Sequence, residues 1–260
     1  MNYKNQTQAK QETKLSYLGN INSSAKIMKN KKVSNNYTYI LYLSPANTSG
    51  YSVCPFSTPE CRKGCLATSG RTKVEEYAGK SVIKNARIKK TKLFFEQQTF
   101  FMDWLIAELI SKQKKAKKDG YDFSVRLNGT SDIDWKNVYH NGKNIFELFP
   151  NVQFYDYTKN PAIAENAPAN YHITFSYTGY QKNVEYCKDL LSKGKNVAVV
   201  FDVKDEKDLP TTFMNYPVIN GDLTDYRPLD GQGVVVGLKW KTIANKALND
   251  EIRSSCFVIR

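Results

Sequence analysis

Short apolar runs alternate with segments of helical periodicity along most of this chain. Runs rich in Tyr, Phe and β-branched residues predict strands at 37–44, 121–128, 152–158, 171–178, 196–203 and 233–240. Apolar positions at three- and four-residue spacing predict helices at 74–118 (in two segments), 144–149, 162–167, 181–194 and 242–250. This rhythm is typical of βα units and a parallel sheet. We therefore expect an α/β protein built as a partial or closed, TIM-like β/α barrel, with about six parallel strands and helices outside; a doubly wound open sheet is the alternative.

The leading segment differs from the rest in composition. Residues 1–34 are rich in Asn, Lys, Gln and Ser, with apolar side chains only at scattered positions such as Leu15, Leu18 and Ile27. The pattern predicts a flexible or loosely attached basic segment. Residues 35–260 are expected to form one barrel-like domain.

Composition and hydropathy bound the class of protein. Hydrophobic residues make up 41% of the chain and aromatic residues 13%, which indicates a folded protein with a sizeable core. No run approaches the roughly 18 uncharged apolar residues that a membrane span needs. The first residues also lack the apolar stretch of a secretory signal. We expect a cytoplasmic protein, in the host cytoplasm if it is viral, without a membrane partner.

The net charge of +13 is unevenly distributed. Residues 79–118 hold eleven Lys and Arg against three acids, whereas residues 119–260 are slightly acidic. A basic helical stripe of this kind is typical of nucleic-acid binding, and a solvated helix face is the plainer alternative. The candidate nucleic-acid contacts are Lys84, Arg87, Lys89, Lys90 and Lys92.

The densest metal-ligand chemistry follows the first predicted strand. Cys54, Cys61 and Cys65 stand in one loop shaped by Pro and Gly, in a C-x6-C-x3-C spacing. In a reducing cytosol, clustered cysteines indicate metal ligands or catalytic thiols before disulfides. The spacing is not that of a structural zinc site. An iron–sulfur cluster is held by cysteine thiolates, and three of them leave one iron open for a small-molecule ligand, with Cys256 as a candidate fourth ligand.

The predicted strands end in polar residues. In parallel β/α folds the carboxyl ends of the strands meet at one edge, where ligands bind. We therefore expect some of these polar residues to contact a cofactor. The candidates are Asn128, Gly129, Thr130, Ser131, Asp132, Asp156, Ser176 and Asp202.

This layout resembles the radical S-adenosylmethionine (SAM) superfamily, in which a cysteine triplet follows the first strand of a partial β/α barrel. The resemblance implies a [4Fe–4S] cluster on Cys54, Cys61 and Cys65, with SAM chelating the fourth iron. It further implies that residues 128–132 contact the amino-acid part of SAM, and that Asp156, Ser176 and Asp202 meet its ribose or the substrate. The usual spacing is C-x3-C-x2-C, so this chain departs from the superfamily motif.

The cysteine segment also resembles the phage and plasmid gene product 88 family, whose function is unknown. The likeness rests on Cys54-Pro55, Cys61, Gly64-Cys65-Leu66-Ala67 and Gly70-Arg71, followed by the basic segment SVIKNARIKKTKLFF. It covers about residues 37–240, and it implies a viral or mobile-element origin.

Three other functions compete with an iron–sulfur enzyme. One is a nucleic-acid-binding protein whose metal centre is structural. Another is a cluster-bearing redox or sensor protein without turnover. The third is a Mg²⁺-dependent nuclease that would use strand-end carboxylates from the set Asp132, Asp134, Asp156, Asp202 and Asp222.

Overall fold

The computed structural model describes residues 3–21, 25–65, 78–79, 81–243 and 245–260. The helices are α1 (Gln6–Thr13), α2 (Ala25–Val33), α3 (Pro59–Lys63), α4 (Val82–Glu96), α5 (Gln98–Lys118), α6 (Ile145–Leu148), α7 (Pro161–Glu165), α8 (Gln181–Ser192) and α9 (Lys246–Arg253). The strands are β1 (Gly19–Ile21), β2 (Asn36–Leu41), β3 (Asp122–Arg126), β4 (Tyr139–His140), β5 (Lys143–Asn144), β6 (Gln153–Thr158), β7 (Tyr171–Ser176), β8 (Asn196–Phe201), β9 (Thr212–Phe213), β10 (Tyr216–Asn220), β11 (Val235–Lys239) and β12 (Val258–Ile259).

One ten-stranded sheet organises the molecule. Its order is β1-β2-β3-β6-β7-β8-β11-β10-β9. The tenth strand, β12, lies outside this order and pairs with the last residues of β8, beyond those that pair with β7. The pairs from β2 through β10 are parallel, whereas β1 and β9 are antiparallel edge strands. In the part of the chain that the structure describes, no pairing joins β1 to β9. The α/β class and the parallel sheet are confirmed, but the sheet is not closed into a TIM-like barrel.

Each predicted strand has a counterpart in this sheet: β2, β3, β6, β7, β8 and β11. The predicted helical region 74–118 contains α4 and α5, separated at Gln97, and its first residues, 74–77, lie outside the described residues. The edge strands β1 and β9, and β10 and β12, were not predicted.

The main core lies between the sheet and α5. One face of α5 buries Phe101, Trp104, Leu105 and Leu109 against β2 and β3. A second core joins α8 to β8 through Cys187, Leu190 and Leu191, among other residues. A third, smaller core surrounds Trp240, beside α9 and α3. None of the described helices is both long and apolar enough to cross a membrane.

The leading segment, predicted to be flexible or loosely attached, packs against the rest of the chain. Leu15, Leu18 and Ile21 are buried in the main core, and β1 pairs with β2 across the predicted domain boundary. The carboxylate of Glu108 on α5 accepts hydrogen bonds from the backbone N–H groups of Leu18 and Gly19, at 2.9 and 3.1 Å. These long-range contacts anchor a segment whose own composition gives little sign of order.

Candidate metal centre

The loop after β2 places its cysteines through local capping. Thr58 caps α3 by accepting a hydrogen bond from the backbone N–H of Cys61, and Pro59 occupies the first helical turn. Gly64 then ends the helix, where a Cβ atom would lie 2.9 Å from the Trp240 ring. Cys61 is thus held on a short helix. Cys65 directly follows Gly64, which packs closely against Trp240 of the third core.

The three thiols of Cys54, Cys61 and Cys65 lie in one electrostatic neighbourhood. Burial raises the pKa of the Cys54 thiol to about 12, against the lowering effect of a backbone hydrogen bond at Ala46. Charge on Cys65 and on Cys61 raises this pKa further. The thiols of Cys61 and Cys65 thus lie within electrostatic reach of Cys54, in the segment that follows β2.

A cation lies beside the thiols. The Lys159 ammonium, just after β6, lies within electrostatic reach of the Cys61 thiol and 5.9 Å from the centre of the Phe257 ring. Burial lowers the pKa of Lys159, but the charges on Cys61 and Asp132 outweigh it, so that the pKa is raised. Lys159 was not among the candidate cofactor contacts, although it follows a predicted strand.

Asp132 ties the ends of β3 and β6 together. Its carboxylate accepts a hydrogen bond from the Thr158 hydroxyl at 2.5 Å and from the Lys159 backbone N–H at 3.0 Å. Its own backbone N–H donates to the Val53 carbonyl, next to Cys54. Burial raises the pKa of Asp132, and its charge contributes to the raised pKa of Cys54. Of the predicted cofactor contacts, Asp132 therefore lies with the cysteines.

The other residues of the 128–132 turn mainly build the turn itself. The Asn128 amide oxygen accepts hydrogen bonds from the Ser131 hydroxyl, the Ile133 backbone N–H and the Trp135 indole at 2.8–3.1 Å. The Thr130 hydroxyl donates to the Leu43 carbonyl, and the Thr130 carbonyl accepts a long 3.9 Å contact from the Cys54 thiol.

Gly129 allows a close backbone approach, since a Cβ atom there would lie 2.8 Å from the Leu41 carbonyl oxygen. The turn thus positions Asp132 and the Thr130 carbonyl against the cysteine loop.

The remaining predicted cofactor contacts lie elsewhere, in separate pairings. Asp156 is fully buried; it accepts hydrogen bonds from the backbone N–H groups of Leu127 and Asn128, just after β3, and it lies 3.5 Å from Arg126. Asp202 forms a bidentate pair with Arg253 at 2.8–2.9 Å. The Ser176 carbonyl accepts a hydrogen bond from the side chain of Asn183.

Cys256, the candidate fourth ligand, lies between α9 and β12, beside the residues that follow β7. It is exposed, and its thiol contacts the Thr178 carbonyl at 3.7 Å. Burial raises the pKa values of the Tyr177 and Tyr180 phenols, and charge on Cys256 raises them further.

The predicted nucleic-acid residues on α4 are only partly exposed. Lys90 is buried beside the Tyr17 ring, and burial lowers its pKa to about 8. Arg87 lies over the Tyr42 ring, and the Lys89 ammonium donates to the Thr13 carbonyl at the end of α1. Lys84 and Lys92 are exposed. Part of the basic stripe therefore anchors the leading segment.

Among the described residues, no group of three or more His, Cys, Asp and Glu side chains has the arrangement that would hold a metal ion. The thiols of Cys54, Cys61 and Cys65 are therefore not arranged around a single ion. Cysteine thiolates are the donor type that iron–sulfur clusters take.

Comparison with known proteins gives one relationship. A family model described as Gene product 88 matches residues 4–257. No curated protein and no solved structure matches the chain. The match spans nearly the whole chain, including the leading segment and all three cysteines of the loop.

Proposed function

We propose, from the premise that this chain belongs to the Gene product 88 family, that it is an iron–sulfur protein of phage or mobile-element type. In this proposal, thiolates of Cys54, Cys61 and Cys65 hold a [4Fe–4S] cluster, and one iron stays open for SAM or another small ligand. The fold would serve as a partial β/α barrel whose strand ends surround that ligand.

The observation that carries the proposal is the shared neighbourhood of the three thiols. Burial raises the pKa of Cys54 most, and the charges of Cys65 and Cys61 both raise it further, so both of these thiols lie within electrostatic reach of Cys54. The sheet beneath them is parallel, and a parallel sheet presents its carboxyl ends at the edge where ligands bind.

The neighbouring residues suit a cluster electrostatically. Three thiolates concentrate negative charge, and the nearby Lys159 ammonium offsets part of it. The buried position of Cys54 keeps its thiol protonated in the absence of metal, so that cluster binding must release that proton. When bound, the cluster would supply electron transfer and an open coordination position.

The same site offers contacts for a small ligand. Asp132 can accept hydrogen bonds from an amino group, and Lys159 can donate to a carboxylate. Both are fixed by the ends of β3 and β6, so they would orient a ligand with an amino-acid moiety, as SAM has. We assign this role to Asp132 ahead of Asp156 and Asp202, since those two carboxylates pair with Arg126 and Arg253.

The competing functions have less support. A carboxylate-based Mg²⁺ site requires neighbouring carboxylates, but Asp156, Asp202 and Asp222 are held by three different cationic partners. Nucleic-acid binding through α4 would rely mainly on Lys84 and Lys92, because Lys90 is buried.

Anaerobic reconstitution with iron and sulfide tests the proposal. We expect about four irons and four acid-labile sulfides per chain, and a visible absorption band that SAM perturbs. The triple variant Cys54→Ala, Cys61→Ala, Cys65→Ala should lose them. Cys187→Ala is the matched control, because Cys187 is buried among Leu190 and Leu191 on α8 and should leave the cluster intact. Wild-type protein that assembles no cluster, or a triple variant that still does, would refute the proposal.

A further inference from the structure

The face of the sheet that lies opposite α5 is polar. Four neighbouring strands place polar side chains there, and we call this set the polar face: Asn36, Thr38, Ser124, Arg126, Tyr155, Tyr157, His172 and Thr174. Strands of a parallel sheet that is covered on both sides are normally apolar on both faces. A buried polar face therefore needs hydrogen-bond partners.

One half of the polar face has such partners within the chain. Asn30, on α2, donates to the Thr38 hydroxyl and the Tyr155 hydroxyl at 3.1 and 3.2 Å. The amide oxygen of Asn30 in turn accepts from the backbone N–H of Asp225 at 2.9 Å. Arg126 donates to the Asp225 carboxylate at 2.7 Å. This half of the polar face is thus covered by α2 and by the segment that follows β10.

The other half lacks partners among the described residues. Tyr157 on β6 and Thr174 on β7 are directly paired in the sheet, and neither hydroxyl has a hydrogen-bond partner there. Thr174 is 0% exposed. His172, two residues before Thr174 on the same face, has an unpartnered Nε2 atom. Burial raises the pKa of Tyr157 and lowers that of His172, so both side chains are neutral near pH 7.

Arg227 lies over the half of the polar face that lacks partners. It lies in the short 3-10 helix Arg227–Leu229, which packs on β6 and β7, and it is 1% exposed. Its charge acts on both Tyr157 and His172. Its Nη2 atom donates to the Thr224 carbonyl and its Nη1 atom lies 3.2 Å from Asp230, but its Nε atom is buried and has no acceptor in the described chain.

These unpartnered atoms share a chemistry. The Nε–H of Arg227 can only donate, and the two hydroxyls can rotate to donate to the same oxygen atoms. Native proteins pair nearly all of their buried polar groups, so a local group of unpaired donors indicates a missing acceptor. Charged oxygen acceptors form the strongest bonds with guanidinium groups.

We propose that a small oxyanion, a carboxylate or phosphate, binds on the polar face among Tyr157, Thr174, His172 and Arg227. Its oxygen atoms accept from the two hydroxyls and from Arg227 Nε. The charges of Arg126 and Arg227 are balanced by Asp225 and Asp230, so we expect the oxyanion to bind with modest affinity. None of the cysteines takes part, and the site is independent of any cluster.

The test uses isosteric variants of the full chain with acetate and inorganic phosphate as probes. Tyr157→Phe and Thr174→Val each remove one hydroxyl. Tyr139→Phe, at an exposed tyrosine on β4, is the matched control. We expect at least one probe to bind the wild type and the control, and each hydroxyl variant to bind it at least about tenfold more weakly. A crystal structure with that probe should show it between Tyr157 and Thr174.

A measurement of stability shows whether a variant loses binding only because its fold is disturbed. Because the removed hydroxyls have no partner within the described chain, both variants should unfold at the same denaturant concentration as the wild type, or at a higher one, when no anion is added. The proposal is overturned if neither probe binds, if the variants bind as well as the wild type, or if a high-resolution structure shows ordered water alone at these atoms.

Discussion

Lys159, just after β6, and Cys61, on α3, lie within electrostatic reach of each other. The pair connects the cysteine loop to the neighbouring strand ends, where Asp132 accepts from the Lys159 backbone. The Lys159 ammonium therefore lies near the thiols that would hold the proposed cluster. This geometry gives Lys159 a testable effect on that cluster.

We predict that Lys159→Met lowers the reduction potential of the reconstituted cluster. Reduction adds a negative charge, which the ammonium group stabilises. Removing a unit charge a few ångströms from the cluster in a partly buried site should cost about 1–2 kcal/mol, or roughly 50–100 mV for one electron. Potentiometric titration followed by electron paramagnetic resonance measures this.

Lys159→Arg keeps the charge and serves as the matched control for that titration. Its potential should stay close to that of the wild type. Equal potentials in Lys159→Met and the wild type would show that the ammonium group does not act on a cluster at this place.

Asp156 gives a pH dependence of stability. Burial raises its pKa to about 7 in the folded protein, against the partly compensating charge of Arg126, whereas the unfolded value is near 3.8. The folded state therefore favours the protonated form. The stabilising contribution is fully present below about pH 4 and is lost as the pH rises through about 7.

We predict that Asp156→Asn flattens the pH dependence of the unfolding free energy between about pH 4 and 7. Asn cannot titrate, yet its side-chain oxygen can still accept from the backbone N–H groups of Leu127 and Asn128. Urea unfolding at a series of pH values measures this. Between about pH 4 and 7, the change in the free energy of unfolding should differ between the two proteins by a few kcal/mol at most. Identical profiles for the two proteins would show that Asp156 does not titrate in this range.

Much of the fold followed from pattern because the predicted strands are apolar and bounded by turn residues. The run NVAVVF of β8, for example, is buried along nearly its whole length. β10 escaped prediction because its sequence YPVIN contains a proline and is only half-buried, and β12 because it has only two residues. The anchoring of the leading segment depends on Glu108, which lies far away in sequence and leaves no local signal.

The site was predictable only in part for a similar reason. The cysteine spacing is local, so the triplet was visible in the sequence. Lys159 comes near Cys61 from another strand, and that proximity depends on the strand order β2-β3-β6, which no residue pattern specifies. The polar face was hidden because Thr38, Ser124 and Thr174 each stand between apolar or aromatic neighbours in their strands.

We predict that Asn128→Ala destabilises the protein strongly. The substitution leaves the Ile133 N–H and the buried Trp135 indole without acceptors, and it frees the Ser131 hydroxyl. Unpaired buried groups cost about 1–3 kcal/mol each, so we expect a loss of about 3–5 kcal/mol in the free energy of unfolding. Chemical denaturation measures the loss. Asn137→Ala, at an exposed position of the same loop, should change stability by less than about 1 kcal/mol.

Gly129→Ala should also lower stability, for a steric reason. A Cβ atom there would lie 2.7–2.8 Å from the Tyr42 ring, Ile40 and the Leu41 carbonyl, and the carbonyl belongs to the backbone of the sheet. We expect a cost of about 1–3 kcal/mol, measured by thermal or urea unfolding. Gly231→Ala is the matched control, because its nearest neighbour, Val234, would be 3.8 Å away. A tolerated alanine at 129 would show that the turn can move away from β2.

Cys256 separates a three-cysteine cluster from a four-cysteine one. Its thiol contacts the Thr178 carbonyl at 3.7 Å, whereas the charges that act on Cys54 are those of Cys65, Asp132 and Cys61. We therefore predict that Cys256→Ser retains the iron content of the wild type after reconstitution, and that SAM still perturbs the spectrum of the cluster. Cys61→Ser should lose most of its iron under the same conditions, since no other thiol stands at that place on α3. Iron analysis and absorption spectra of the two variants, prepared side by side, measure both outcomes. If Cys256→Ser instead loses iron to the same extent as Cys61→Ser, the cluster has four protein ligands and no open iron, and the protein would transfer electrons or sense redox state without binding a small ligand at iron.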